Sequence, residues 1–203
     1  MAPILTRYPR DFYAQKTVTV AQALLGSYLV VEHPTQTQVG RIVETEAYLG
    51  RVDLAAHSSK GITPRTQVMF GPPGHAYIYL IYGIHHCFNI VTEPEGSGTA
   101  VLIRALEPVH NIELNASGPG RLCKALELDR RYNTQDLCSG PIYVSPPPEA
   151  ALQHHEHIVA APRIGVDYAK EWASKPLRFL LSPNPFVSKP APVTSPAPTS
   201  QRR

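Results

Sequence analysis

Successive β-forming runs, each ended by a turn cluster, constrain the fold of this chain more than any other feature. Residues 27–32 form one such run and are followed by the turn His33-Pro34-Thr35-Gln36. A longer run follows over residues 38–48, and residues 76–82 form a third with three tyrosines, broken at Tyr82-Gly83. Residues 86–92 and 99–106 read as two more strands joined by a turn rich in Pro, Gly and Ser. Short candidates follow at 142–144, 158–160 and 177–181. Helical signals are weaker. Thr19-Val20-Ala21-Gln22 resembles a capping box with Gly26 as the stop, residues 121–128 have helical spacing, and 168–173 allow one or two turns. Neighbouring runs can pair as hairpins, so the expected fold is α+β: one mixed domain around a mostly antiparallel, curved β-sheet with short peripheral helices.

Proline sets the domain boundary. It takes 21 of 203 positions, roughly twice the usual share. Pro183, Pro185, Pro190, Pro192, Pro196 and Pro198 stand among Ser, Thr, Ala and Val without an apolar face. A domain over residues 1–182 and a Pro-rich, disordered tail over 183–203 are therefore expected. The formal net charge of +3 is carried by Lys189, Arg202 and Arg203 of that tail, since residues 1–182 hold 16 basic and 16 acidic side chains. Bulk charge thus gives no support for nucleic-acid binding. Deleting the tail is expected to lower non-specific affinity and leave catalysis intact.

Other classes are excluded. Cys87, Cys123 and Cys138 are odd in number and contain no CxxC, which fits reduced thiols rather than a disulfide framework. No apolar run reaches the ~18 residues of a membrane span, and no signal-peptide pattern opens the chain. A cytoplasmic (nucleoid-associated) location in a bacterium, or a nuclear one in a eukaryote, is expected. His154-His155-Glu156-His157 lies in a polar stretch after three prolines and is read as a surface loop, because adjacent ligands point different ways. No metal and no cofactor are expected.

Period two places Ile42, Glu44, Glu46 and Tyr48 on one strand face. Two carboxylates side by side repel unless one is protonated or a cation intervenes. The pair is either an acid/base site or part of a solvated face. Arg104, in the apolar run Val101-Leu102-Ile103-Arg104, either pairs with a buried carboxylate or ends its strand in water. Tyr48, Tyr77, Tyr79, Tyr82, Phe88, His57, His85 and His86 could stack on bases, or could simply pack a sheet. Gly118-Pro119-Gly120-Arg121 with Lys124 would offer N–H groups and cations to a phosphate, or be a plain loop-to-helix junction.

The order of motifs adds to this. Val43-Glu44-Thr45-Glu46-Ala47-Tyr48 precedes Ala55-Ala56-His57-Ser58 and Thr63-Pro64-Arg65. Tyr77-Ile78-Tyr79-Leu80-Ile81-Tyr82-Gly83, Phe88-Asn89-Ile90 and Val101-Leu102-Ile103-Arg104-Ala105-Leu106-Glu107-Pro108 come next. Gly118-Pro119-Gly120-Arg121-Leu122-Cys123, Arg163-Ile164-Gly165-Val166 and Trp172-Ala173-Ser174-Lys175-Pro176-Leu177-Arg178-Phe179 complete the series. The chain resembles the alkyladenine (3-methyladenine) DNA glycosylases, the vertebrate-type branch also found in bacteria, over nearly all of residues 5–182.

The resemblance implies a monofunctional glycosylase that flips damaged purines (3-methyladenine, 7-methylguanine, hypoxanthine, etheno-adenine) out of duplex DNA and leaves an abasic site. It implies Glu46 as general base, Arg104 as the group positioning carboxylate and water, and Tyr48, His57 and Tyr79 around the flipped base. It further implies Asn89 as the residue that excludes normal guanine and Tyr82 as the wedge. Arg65, Arg121 and Lys124 are candidates for the DNA backbone. A monomer is expected, and no role follows for Glu44. With no long basic arm before the domain, DNA searching is expected to be salt-sensitive. A purine nucleosidase and a non-catalytic lesion-binding module remain the alternatives.

Overall fold

A computed structural model describes residues 5–147 and 156–190. Eight antiparallel strands form one sheet: β1 (Tyr28–Glu32), β2 (Thr37–Tyr48), β3 (Ala76–Ile81), β4 (His85–Thr92), β5 (Thr99–His110), β6 (Ile142–Ser145), β7 (His157–Ala161) and β8 (Arg178–Ser182). The order is β3-β4-β5-β2-β1-β6, with β8 between β2 and β7. The α+β domain around a curved, mostly antiparallel sheet expected from the sequence is the observed fold, and the sheet curves into a half-barrel. Among the described residues, three short α-helices accompany it: α1 (Arg10–Tyr13), α2 (Thr17–Ala23) and α3 (Pro119–Ala125).

β2 is the central strand. Its first half pairs with β1, its second half with β8, and β5 runs along the other edge. Its interior is buried throughout, whatever the polarity of the side chain, so both faces are covered as well as both edges. The register with β5 shifts between Ile42 and Glu44 and again between Glu44 and Thr45. These irregularities leave Val43 and Arg104 without direct cross-strand partners, and such bulges re-aim side chains.

The two faces of the sheet serve different ends. Ala76, Ile78, Phe88, Ile90, Val101, Ile103 and Ala105 join Val20 of α2, Leu24 just after it and Leu122 of α3 in the main core. The alternate residues Tyr77, Tyr79, Cys87, Asn89, Leu102 and Arg104 line a cavity on the opposite face. Period-two alternation thus places the core and the cavity on opposite sides of the same strands. The segment between β2 and β3 is held by three short 3-10 turns, Gly50–Val52, His57–Lys60 and Gln67–Phe70.

Three expectations need correction. The capping box at Thr19 does not start the helix: α2 begins at Thr17, whose N–H and hydroxyl both donate to the Glu93 carboxylate at 2.9 and 2.7 Å. The expected boundary at residue 182 is too early. Phe186 and Val187 pack against the core, Asn184 donates to Glu156, and Ser188 donates to Glu44. Residues 183–190 are therefore a strap on the domain rather than a disordered tail, so a deletion from residue 183 would also remove the Ser188 contact to Glu44 and is not expected to leave catalysis untouched; residues 191–203 lie outside the described residues. Of the His154–His157 cluster, His154 and His155 also lie outside. Glu156 is buried and ion-paired to Arg41, so it is not part of a solvated loop.

Candidate active site

Glu44 and Glu46 are both fully buried on the cavity side of β2. The solvated-face alternative fails because Arg104, Arg178, the Ser188 strap and the Ile164 backbone cover that face. Arg104 reconciles the two carboxylates: its Nε donates to Glu44 Oε1 at 2.9 Å, and its NH1 lies 3.2 Å from Glu46 Oε1. Burial opposes the guanidinium charge, but Glu46 and Glu44 outweigh it and hold the Arg104 pKa above its ordinary value.

The carboxylates differ in how they are held. Glu44 accepts from Arg104 Nε, Arg178 NH1 at 3.0 Å, the Ser188 hydroxyl at 3.0 Å and the Ser188 N–H at 2.6 Å. Glu46 Oε1 accepts the Ile164 N–H at 2.8 Å, and Oε2 accepts the Tyr48 hydroxyl at 2.7 Å. A carboxylate oxygen has two lone pairs, so Glu46 Oε2 keeps acceptor capacity beyond the Tyr48 bond. Burial, then the neighbouring Glu46 charge, pushes the Tyr48 phenol well above its ordinary range. It therefore stays protonated and donates.

Asp53 and Arg163 clamp this arrangement. Both side chains are fully buried and form two hydrogen bonds, NH1 to Oδ2 at 2.5 Å and NH2 to Oδ1 at 2.8 Å. Asp53 also accepts the N–H groups of Leu49 and Ala55. The Arg163 guanidinium lies 4.7 Å from the Tyr48 ring centroid and donates to the Ala47 carbonyl at 2.8 Å. The clamp thereby fixes Tyr48 and the Ile164 N–H, the two groups that grip Glu46.

The cavity measures about 310 Å³, the small end of ligand pockets (roughly 300–1,000 Å³). Tyr48, His57, Tyr79, Asn89, Tyr82 and Arg104 all line it, with Ile164 and Tyr168 closing one side. Glu46 stands just behind that lining, through Tyr48, Arg104 and Ile164. His57 packs edge-on to Tyr79 at 4.5 Å, and its Nδ1 lies 2.9 Å from the Tyr77 hydroxyl. Asn89 Nδ2 donates to the Tyr77 carbonyl at 3.0 Å, which fixes the amide in the wall.

Tyr82 is 85% exposed at the tip of the β3–β4 hairpin. Tyr82 and Gly83 have φ of 52° and 73°. Gly83 meets that demand without strain, and the turn throws the tyrosine outward. Arg65 lies over the Tyr79 ring, 4.9 Å from its centroid. Arg121 and Lys124 are exposed on α3, whose Pro119 lines the cavity, and neither side chain belongs to the lining.

Four residues of the site carried no role in the sequence reading: Asp53, Arg163, Arg178 and Ser188. Arg178 showed the same signal as Arg104, an arginine within an apolar strand. Asp53, Arg163 and Ser188 had no local signal, because each becomes meaningful through a partner more than a hundred residues away.

His57 titrates abnormally. Burial, with the charges of Arg65 and Lys60, pushes its pKa down from the ordinary 6.5 to about 4. The folded state thus binds the proton less readily than the unfolded chain. This contribution to stability is present above pH 6.5 and is lost as pH falls toward 4. Urea midpoints of wild type should fall across that window, and those of His57→Gln should fall less. Parallel curves would remove His57 as the source.

Comparison with known proteins agrees with this geometry. Residues 11–185 match the methylpurine-DNA glycosylase family pattern. A protein from Legionella pneumophila (strain Corby), named "Putative 3-methyladenine DNA glycosylase", is 53% identical over 185 residues, covering 91% of this chain and all of that protein. Like-named proteins from Myxococcus xanthus (strain DK1622) and Methanocella arvoryzae (strain DSM 22066 / NBRC 105507 / MRE50) are 52% and 50% identical. Each of those alignments covers 91% of this chain, and they span 94% and 96% of the two proteins. A full-length match of this kind, with the buried carboxylates facing an aromatic cavity, places the chain in the methylpurine-DNA glycosylase family.

Proposed function

We propose that this DNA glycosylase flips alkylated or deaminated purines out of duplex DNA and hydrolyses their N-glycosidic bond, taking 3-methyladenine, 7-methylguanine, hypoxanthine and etheno-adenine. The observation that carries this reading is Glu46: fully buried, gripped by Tyr48, Ile164 and Arg104, and set behind a base-sized aromatic cavity.

Glu46 accepts a proton from water on the free lone pair of Oε2, and that water attacks the sugar. The same negative charge stabilises the oxocarbenium-like sugar of the transition state. Arg104 holds Glu46 in place with Tyr48 and Ile164. A methylated purine is cationic and stacks on the Tyr48 and Tyr79 faces. His57, neutral at pH 7 because its pKa is near 4, does not repel it. Asn89, held by the Tyr77 carbonyl, excludes the extra amino group of guanine. Tyr82 fills the gap in the duplex, which offsets part of the few kcal/mol of unstacking. Arg65, Arg121 and Lys124 meet phosphates.

A duplex with one hypoxanthine, incubated with the protein and treated with alkali, should be cut at the lesion. Tight binding without abasic sites would make the protein a lesion-binding module. Release of base from free inosine alone would make it a nucleosidase. Tyr82→Ser should weaken excision of a paired lesion about tenfold, and of a mismatched one much less, because unstacking is already cheap there. Equal loss on both would remove the wedge role.

A further inference from the structure

The strap after β8 reaches the catalytic carboxylate through an intermediary. The Ser188 N–H donates to Glu44 Oε2 at 2.6 Å, and its hydroxyl donates to Glu44 Oε1 at 3.0 Å. The same hydroxyl accepts from Arg104 NH2 at 3.3 Å. The adjacent Lys189 carbonyl accepts from Arg178 NH1 at 2.9 Å, and Arg178 NH1 also donates to Glu44. Phe186 and Val187 pack on the core and anchor the strap.

Arg104 stands between two acceptors. It gives Nε to Glu44 and NH1 to Glu46, while NH2 is taken by Ser188. Guanidinium and carboxylate prefer a side-on fork in which two N–H groups meet both oxygens of one carboxylate. On Glu44 that fork would use Arg104 Nε and NH2. The Ser188 hydroxyl opposes it, since it engages Arg104 NH2 and itself donates to Glu44 Oε1. Arg104 is thereby kept shared, with NH1 on Glu46.

We propose that Ser188 is a positioning residue for excision, holding Glu44 so that Arg104 remains divided between Glu44 and Glu46. This rests on Glu46 being the general base. Without the Ser188 hydroxyl, Arg104 turns toward Glu44 and its contact with Glu46 weakens. Glu46 is then held less firmly as the base, and the acid limb of the excision profile moves to higher pH. The other titratable or charged groups facing Glu46 are Tyr48 on its own strand, Arg178 opposite on β8, Cys87 of β4, and Arg163 and Tyr168 of the β7–β8 connection. None of these bonds to the Ser188 side chain, and Arg178 keeps its bonds to Glu44 and to the Lys189 carbonyl in a Ser188 variant.

The test is single-turnover excision of a hypoxanthine duplex from pH 5 to 8 by full-length wild type, Ser188→Ala, Ser188→Thr and Glu46→Gln. Ser188→Ala should slow excision about fivefold at neutral pH and raise the acid limb by roughly half a unit, with duplex affinity unchanged. Ser188→Thr, which keeps the hydroxyl, should restore both. In a Glu44→Gln background, Ser188→Ala should have no further effect, because the acceptor charge is gone. A Ser188→Ala protein that melts lower but keeps the wild-type rate and acid limb would overturn the proposal and leave Ser188 a structural contact. Should Glu44→Gln not fold, the acid limb of Ser188→Ala against Ser188→Thr decides alone. Glu46→Gln separates the two levels: retained activity there defeats the reading of the site, whereas an inactive Glu46→Gln beside a normal Ser188→Ala defeats only the role of Ser188.

Discussion

Replacing Glu46 by Gln is expected to abolish excision, with a single-turnover rate lowered by roughly 10²–10⁴-fold, the usual worth of a general base. The substitution changes little else. Glutamine has the same shape, and its carbonyl oxygen can accept the Ile164 N–H as Oε1 does now. Its amide NH2 can face the Tyr48 oxygen, since a hydroxyl accepts as well as donates. Arg104 keeps its ion pair with Glu44 at 2.9 Å, so no unpaired buried charge is created. Duplex binding should therefore persist while no abasic site forms. Measured excision near the wild-type rate would end the assignment of Glu46 as base. The carboxylate two residues earlier is held differently: Glu44 is gripped by two guanidinium groups, Arg104 and Arg178, and twice by Ser188. Its neighbours treat it as the counter-ion of the site.

Asp53→Ala should be the most damaging substitution for stability, costing about 3–5 kcal/mol, because it strands Arg163 as an uncompensated buried charge. Both side chains are at 0% exposure, so water cannot replace the lost carboxylate. The N–H groups of Leu49 and Ala55 lose their acceptor as well. A domain of this size should then melt about 10 °C lower. Replacing both partners, Asp53→Ala with Arg163→Met, should cost less than the single change, since no charge is left buried. A urea midpoint for Asp53→Ala within experimental error of wild type would show that the clamp is not what holds the loop.

The β-sheet was legible because its evidence is local. Alternation over residues 76–82 and 86–92 follows from the pleat, and Tyr82-Gly83 is a turn signal by its own chemistry. The same alternation separated Glu44, Glu46 and Tyr48 from Thr45 and Ala47 correctly, although the irregularity after Ile42 buries both Ile42 and Val43. The start of α2 was not legible. Its N-terminal donors are met by Glu93, 76 residues away in sequence, and not by a neighbouring side chain. The strap was misread for a related reason. Proline-rich composition argues for an extended chain, but an extended chain is not a free one: Phe186 and Val187 pack on the core and Ser188 bonds the Glu44 carboxylate.

Sequence alone determined the class of fold, the residues that could carry chemistry and the family they resemble, since periodicity, turn chemistry and motif order are written in consecutive residues. Tertiary structure decided what each charge is for. Glu44 and Glu46 look alike in the strand. Burying both on a central strand forces each to find its own partners. The partners come from β5, β8, the β7–β8 connection and the strap, so Glu44 is held by two guanidinium groups and Ser188, and Glu46 by one guanidinium, a phenol and a backbone N–H.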